Sequence, residues 1–138
     1  MYEDGYEDIV NIDISHTVVK FMEEKIKTRY PKMVYKQMDV LDMSEFKQGE
    51  FNVILDKGTL DSILCGDNST PNAEKMLSEI HKVLASNGIY ICVTYGDEEH
   101  RKKFFVFTYL FICLFVCLIF FLLVLNFMLE KIFQTIVC

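Results

Sequence analysis

The sequence predicts an α/β fold: a Rossmann-like parallel sheet with flanking helices, followed by a C-terminal hydrophobic helix. Short β-branched runs alternate with amphipathic stretches in the order β-α-β-(α)-β-α-β, with connections long enough for right-handed crossovers. Three of the strand runs end in an acid, at Asp13, Asp39 and Asp56. Composition then divides the chain, because 29 of the 35 residues from Phe104 to Cys138 are apolar, Tyr or Cys. The residues before them have an ordinary soluble fraction.

Asp8 to Ile14 is a short β-branched run and reads as a buried strand. Ser15 can cap the helix that follows, in which Val18, Val19, Met22 and Ile26 recur at helical spacing until Pro31 closes the element. Met33 to Asp39 is the second strand, and Phe51 to Asp56 is the third and most apolar. Gly58 opens a turn, Thr59 to Leu64 reads as a short helix, and Cys65 to Pro71 is a loop of turn residues. Thr70-Pro71 sets the next helix start, with Pro in its favoured first position. Met76, Leu77, Ile80, Val83 and Leu84 form its buried stripe, and Asn87-Gly88 supplies a left-handed stop. Ile89 to Thr94 is the fourth strand, and Asp97-Glu98-Glu99 reads as a solvated loop.

Charge divides like composition. The first 103 residues carry 13 Lys/Arg and 19 Asp/Glu, and the tail carries one of each sign. An acidic head without a basic run argues against a nucleic-acid partner. Phe104 to Leu129 is a 26-residue stretch without a charge. As a helix it reaches roughly 39 Å, against about 30 Å of bilayer hydrocarbon. The expectation is a transmembrane helix over 104–129 and a short tail over 130–138. Arg101, Lys102 and Lys103 before the segment, against Lys131 after it, put the head on the cytosolic side and Cys138 across the membrane. The tail also lacks Ala, Gly, Ser and Pro, a bias that a reading frame entering T-rich non-coding sequence would produce. On that alternative the natural protein is cytoplasmic. The five cysteines are scattered without a CxxC, and His16, His81 and His100 share no ligand spacing with carboxylates, so no metal is expected.

In open parallel sheets, ligands bind at the carboxyl ends of the strands. An Asp there can accept both hydroxyl hydrogens of a ribose, one at the next strand end can accept from an exocyclic adenine amine, and one at the third can face the reacting end of a ligand. The competing reading is that each acid merely caps its loop or helix.

Read together, Met1 to Ser15 (MYEDGYEDIVNIDIS), Met38-Asp-Val40 and Leu55 to Leu64 (LDKGTLDSIL) resemble the class I S-adenosylmethionine-dependent methyltransferases. The nearest likeness is to the group that modifies lysines or the N-terminus of translation elongation factor 1A. The Asp56 to Asp61 string is its most specific part, and the resemblance covers residues 1–101 as a partial methyltransferase fold. It implies S-adenosylmethionine as cofactor. Asp13 would hold the ribose hydroxyls with Ile14 packing beside it, and Asp39 would meet the adenine amine with Val40 over the ring. Asp56, Lys57, Gly58 and Thr59 would form the lip where methyl meets amine, Asp56 and Lys57 being the catalytic candidates and Asp56 also touching the cofactor. The implied activity is protein-lysine N-methylation in the complete form, on a protein substrate such as a translation elongation factor. The family's first strand and glycine-rich loop would lie ahead of Met1, and the apolar tail begins where further strands should run, so the domain reads as truncated. Two alternatives stay open: a nicotinamide-dependent dehydrogenase, and a catalytically inactive membrane-tethered fragment or truncated gene product.

Overall fold

The computed structural model describes residues 1–105 and, for the backbone, 135–137. Beyond Phe105 the expected membrane segment lies outside the described residues, among which no helix is long and apolar enough to cross a membrane.

A single 3-10 turn at Tyr2–Asp4 precedes β1 (Ile9–Asp13), α1 (His16–Ile26) and β2 (Val34–Gln37). Then come β3 (Phe51–Lys57), α2 (Thr59–Leu64), α3 (Ser69–Val83), β4 (Leu84–Val93), α4 (Glu98–Phe105) and β5 (Thr135–Val137). The sheet is parallel throughout, in the order β2-β1-β5-β3-β4. The four expected strands are therefore joined by a fifth, and it occupies the middle. Thr135, Ile136 and Val137 pair with Ile9, Val10 and Asn11 on one side and with Val53, Ile54 and Leu55 on the other. These three residues pair within the sheet of the head.

The alternation of a strand sends Val10 and Ile12 to one face and Ile9 to the other. On the first face Ile12, Ile54, Tyr90 and Cys92 form one core with Ala73, Met76, Leu77, Ile80 and Val83 of α3. The buried side chains of α1, Val19 and Ile26, lie outside that cluster, as does Ile9. Chain direction explains the split. From β1 the chain steps outward to β2 and from β3 it steps outward the opposite way to β4, so right-handed crossovers put α1 and α3 on opposite faces.

Several boundaries differ from the sequence reading. Ser15 does cap α1, its Oγ accepting from the Val18 N–H at 3.3 Å, but Val18 itself is exposed and Val19 and Ile26 carry the burial. α3 starts at Ser69 after a left-handed Asn68, so Pro71 is the third helical residue. Pro71 is tolerated there, because first-turn N–H groups have no intrahelical acceptor. The helix ends at Val83 and β4 begins at once, with Asn87-Gly88 inside the strand rather than at a helix stop. There the pairing jumps from Phe51↔Leu84 to Val53↔Ile89, a bulge. A Cβ on Gly88 would lie 2.7 Å from Leu84 Cδ1, so the glycine answers a close approach. The run expected to be a loop at Asp97-Glu98-Glu99 instead starts α4, with Asp97 Oδ1 accepting from the His100 N–H at 3.0 Å.

Candidate functional site

A crevice of about 520 Å³ opens at the carboxyl ends of β1 and β3. Among the described residues, the pairing of β5 reaches Asn11 and Leu55, and Ile12-Asp13 and Asp56-Lys57 extend beyond it on two strands whose chains turn away from each other. That is the switch point at which open α/β sheets take ligands.

Two acids at the strand ends line this crevice. Asp13 is half-buried, and its Oδ1 accepts from the Ser15 N–H at 2.7 Å. Asp39 is exposed, and its Oδ1 accepts from the Leu41 N–H at 2.8 Å. Each carboxylate thus shapes its own turn with one oxygen, and its second oxygen has no side-chain or backbone partner among the described residues. The two strand tops are fastened together by the Met38 N–H to Asp13 carbonyl bond at 3.0 Å and by Gln37 Nε2 donating to the Ile14 carbonyl at 3.3 Å. Ile14 lines the crevice at 68% exposure, and Val40 lines it from a buried position.

The lip is more divided than the sequence suggested. Lys57, Gly58 and Thr59 line the crevice, but Asp56 does not. Asp56 is 0% exposed. Its carboxylate accepts from the N–H groups of Thr59 at 2.8 Å and Leu60 at 3.2 Å, and from the Tyr90 hydroxyl at 2.8 Å. The physical reason is local. The N-cap of α2 is Gly58, left-handed at φ 82 and without a side chain, so the acid two residues earlier caps the helix from inside the core. Burial pushes its carboxyl above the ordinary aspartate value, opposed by the Tyr90, Thr59 and Leu60 hydrogen bonds. Lys57 is exposed, and its ammonium has no hydrogen bond or ion pair with another described residue.

One cluster beside the lip went unassigned in the sequence. Asp61 accepts from Thr94 Oγ1, from the Tyr95 N–H at 2.8 Å and from Arg101 Nη2 at 2.7 Å. Burial works against the charge of Asp61, but these donors outweigh it and hold the carboxyl below its ordinary value. Arg101, read from the sequence as a membrane-flanking charge, is half-buried and forms an ion pair tying α4 to α2. The acid was visible inside the Asp56–Asp61 string, but no spacing rule connects it with a partner forty positions away. Among the described residues no group of His, Cys, Asp or Glu could hold a metal ion.

Residues 1–107 match the family described as a methyltransferase domain. The chain belongs to the methyltransferase-domain family. This methyltransferase domain is 42% identical over 105 residues to the human eEF1A lysine and N-terminal methyltransferase, covering 75% of the chain and 15% of that relative. The bovine protein of the same name is 41% identical over 105 residues, with the same coverage. Mouse EEF1A lysine methyltransferase 4 is 31% identical over 98 residues, which is 65% of the chain and 38% of that protein. The chain therefore spans about 15% of the length of the first two relatives.

The methyltransferase-domain family uses S-adenosylmethionine as methyl donor, and the residues present suit that molecule. Its adenine amine and ribose hydroxyls are donors, and the crevice presents carboxylate acceptors at Asp13 and Asp39 between apolar Ile14 and Val40. The family also displaces the nicotinamide-dependent dehydrogenase that an acid after the second strand allowed.

Proposed function

We propose that this methyltransferase domain transfers the methyl group of S-adenosylmethionine to a protein amine, a lysine side chain foremost, with the elongation factor eEF1A as candidate acceptor. One observation carries the reading: Asp13, Ile14, Asp39, Val40, Lys57, Gly58 and Thr59, nominated from three separate stretches of sequence, line a single crevice. The bound cofactor supplies an electrophilic sulfonium methyl. The protein's part is alignment. Asp13 accepts the ribose hydroxyls and Asp39 the adenine amine, while Ile14 and Val40 exclude water from the ring. The backbone of Gly58-Thr59 forms the lip past which the acceptor amine approaches in line. Asp56 serves as a positioning residue, because it touches the lip through the Thr59 and Leu60 amides. The net charge of −6 favours encounter with a basic acceptor.

The printed names of the relatives, eEF1A lysine and N-terminal methyltransferases, support the choice of acceptor. Titration calorimetry with S-adenosylmethionine, followed by mass spectrometry of eEF1A incubated with the chain and cofactor, tests both halves. Saturable heat that disappears in Asp13→Ala, with a 14 Da increment on an eEF1A lysine of about one methyl group, is the expected result. A folded chain giving no heat refutes the cofactor half.

A further inference from the structure

We propose that Lys57 binds the carboxylate at the amino-acid end of S-adenosylmethionine, so that the crevice reads this cofactor from adenine to methionine across neighbouring strand tops. The inference rests on the cofactor reading above. In the order β2-β1-β5-β3, Asp39 follows β2, Asp13 ends β1 and Lys57 ends β3. Neighbouring strands lie about 4.8 Å apart, so this row spans roughly 14 Å. It presents two acceptors in succession and then a cation.

That sequence of groups matches the ligand. The adenine amine and the ribose hydroxyls donate hydrogen bonds, whereas the far end carries a carboxylate, which needs a charged donor. Lys57 is the one cation among the described residues lining the crevice. It has no ion pair with another described residue, so binding an anion breaks no existing bond. Among the described residues, the pairing of β5 with β3 reaches Leu55, two residues before Lys57. Lys57 is then a binding residue. A second ammonium held beside an incoming lysine would repel it, which argues against placing Lys57 on the acceptor.

Calorimetry of the full chain with two ligands tests this. S-adenosylhomocysteine carries the amino-acid end, and methylthioadenosine stops at the thioether. For Lys57→Met, affinity for S-adenosylhomocysteine is expected to fall by about 10–100-fold, the value of a charge-assisted hydrogen bond. Affinity for methylthioadenosine should change by less than about twofold over the same comparison. Lys57→Arg should restore most of the lost binding. Equal weakening of both ligands, or no change in either, overturns the assignment while leaving the cofactor reading intact. A wild-type chain that binds neither ligand overturns both.

Discussion

The Tyr90 hydroxyl donates a 2.8 Å hydrogen bond to the fully buried carboxylate of Asp56 on the adjacent strand, and that carboxylate in turn caps the helix that begins at the lip of the crevice. The base of the candidate site is therefore a polar contact inside the core.

Tyr90→Phe should destabilise the domain by about 1–3 kcal/mol, because a buried carboxylate loses a donor. The raised pKa of Asp56 gives the sign of a pH effect. In the folded state this group holds its proton to higher pH than in the unfolded chain. Its stabilising contribution is thus full below the unfolded value of about 3.9 and diminishes as pH rises through the folded value. Urea denaturation of wild type and Asp56→Asn across the acid range should show that descending component only in the wild type. Parallel curves would rule the effect out.

Asp61 has the opposite sign. Its carboxyl is held below the ordinary value, so its contribution is present above the unfolded pKa and lost as pH falls through the folded one. Arg101→Met removes one of its donors and should cost about 1–3 kcal/mol at neutral pH. The acid unfolding midpoint should also move to higher pH. Equal losses at neutral pH and at pH values where Asp61 is protonated would contradict the ion-pair account.

Asp39 and Asp13 should be separable by ligand chemistry. Asp39→Asn should weaken adenosine-containing ligands by roughly 10-fold or less, because an amide oxygen can still accept from the base amine. Asp13→Ala should cost about 10–100-fold, since two ribose hydroxyls lose a charged acceptor. Calorimetry with S-adenosylhomocysteine reads both, and the reverse order would exchange the two roles.

Ile136→Pro should unfold or severely weaken the domain, by about 3 kcal/mol or more. Proline removes a ladder donor from a strand paired on both sides. Guanidinium denaturation checks it, and a loss under about 0.5 kcal/mol would mean that β5 contributes little to the sheet.

The parts of this fold that were legible in the sequence are those governed by short-range patterns. The runs at Ile9–Asp13 and Phe51–Lys57 declare strands through β-branched and apolar content, and Ser15 declares its helix by a local cap. Asn87-Gly88 misled for an instructive reason, since the same dipeptide suits a helix stop and a bulge, and only the position of Leu84 decides between them. Asp13 and Asp39 were readable as crevice residues because strand polarity puts all strand ends on one side. Asp56 shares that position along the chain, yet the pleat sends its side chain inward to Tyr90, and an unseen alternation at the last strand residues separates lining from core. Thr135–Val137, assigned from the sequence to a short tail, carried no strand signal, because three residues are too few for a period-2 pattern and their place depends on partners far along the chain.

The central position of β5 has a consequence for the order in which the domain assembles. Among the described residues, the ladder that links the pairs β2-β1 and β3-β4 runs through Thr135–Val137. During synthesis both half-sheets are complete long before those residues leave the ribosome, and each waits with an unpaired inner edge. Closure then requires contacts between Ile9 and Thr135, far apart along the chain, which slows it and exposes the nascent edges to neighbours. The crevice is bounded by those same edges, so ligand binding during translation should begin only with the final step of sheet closure.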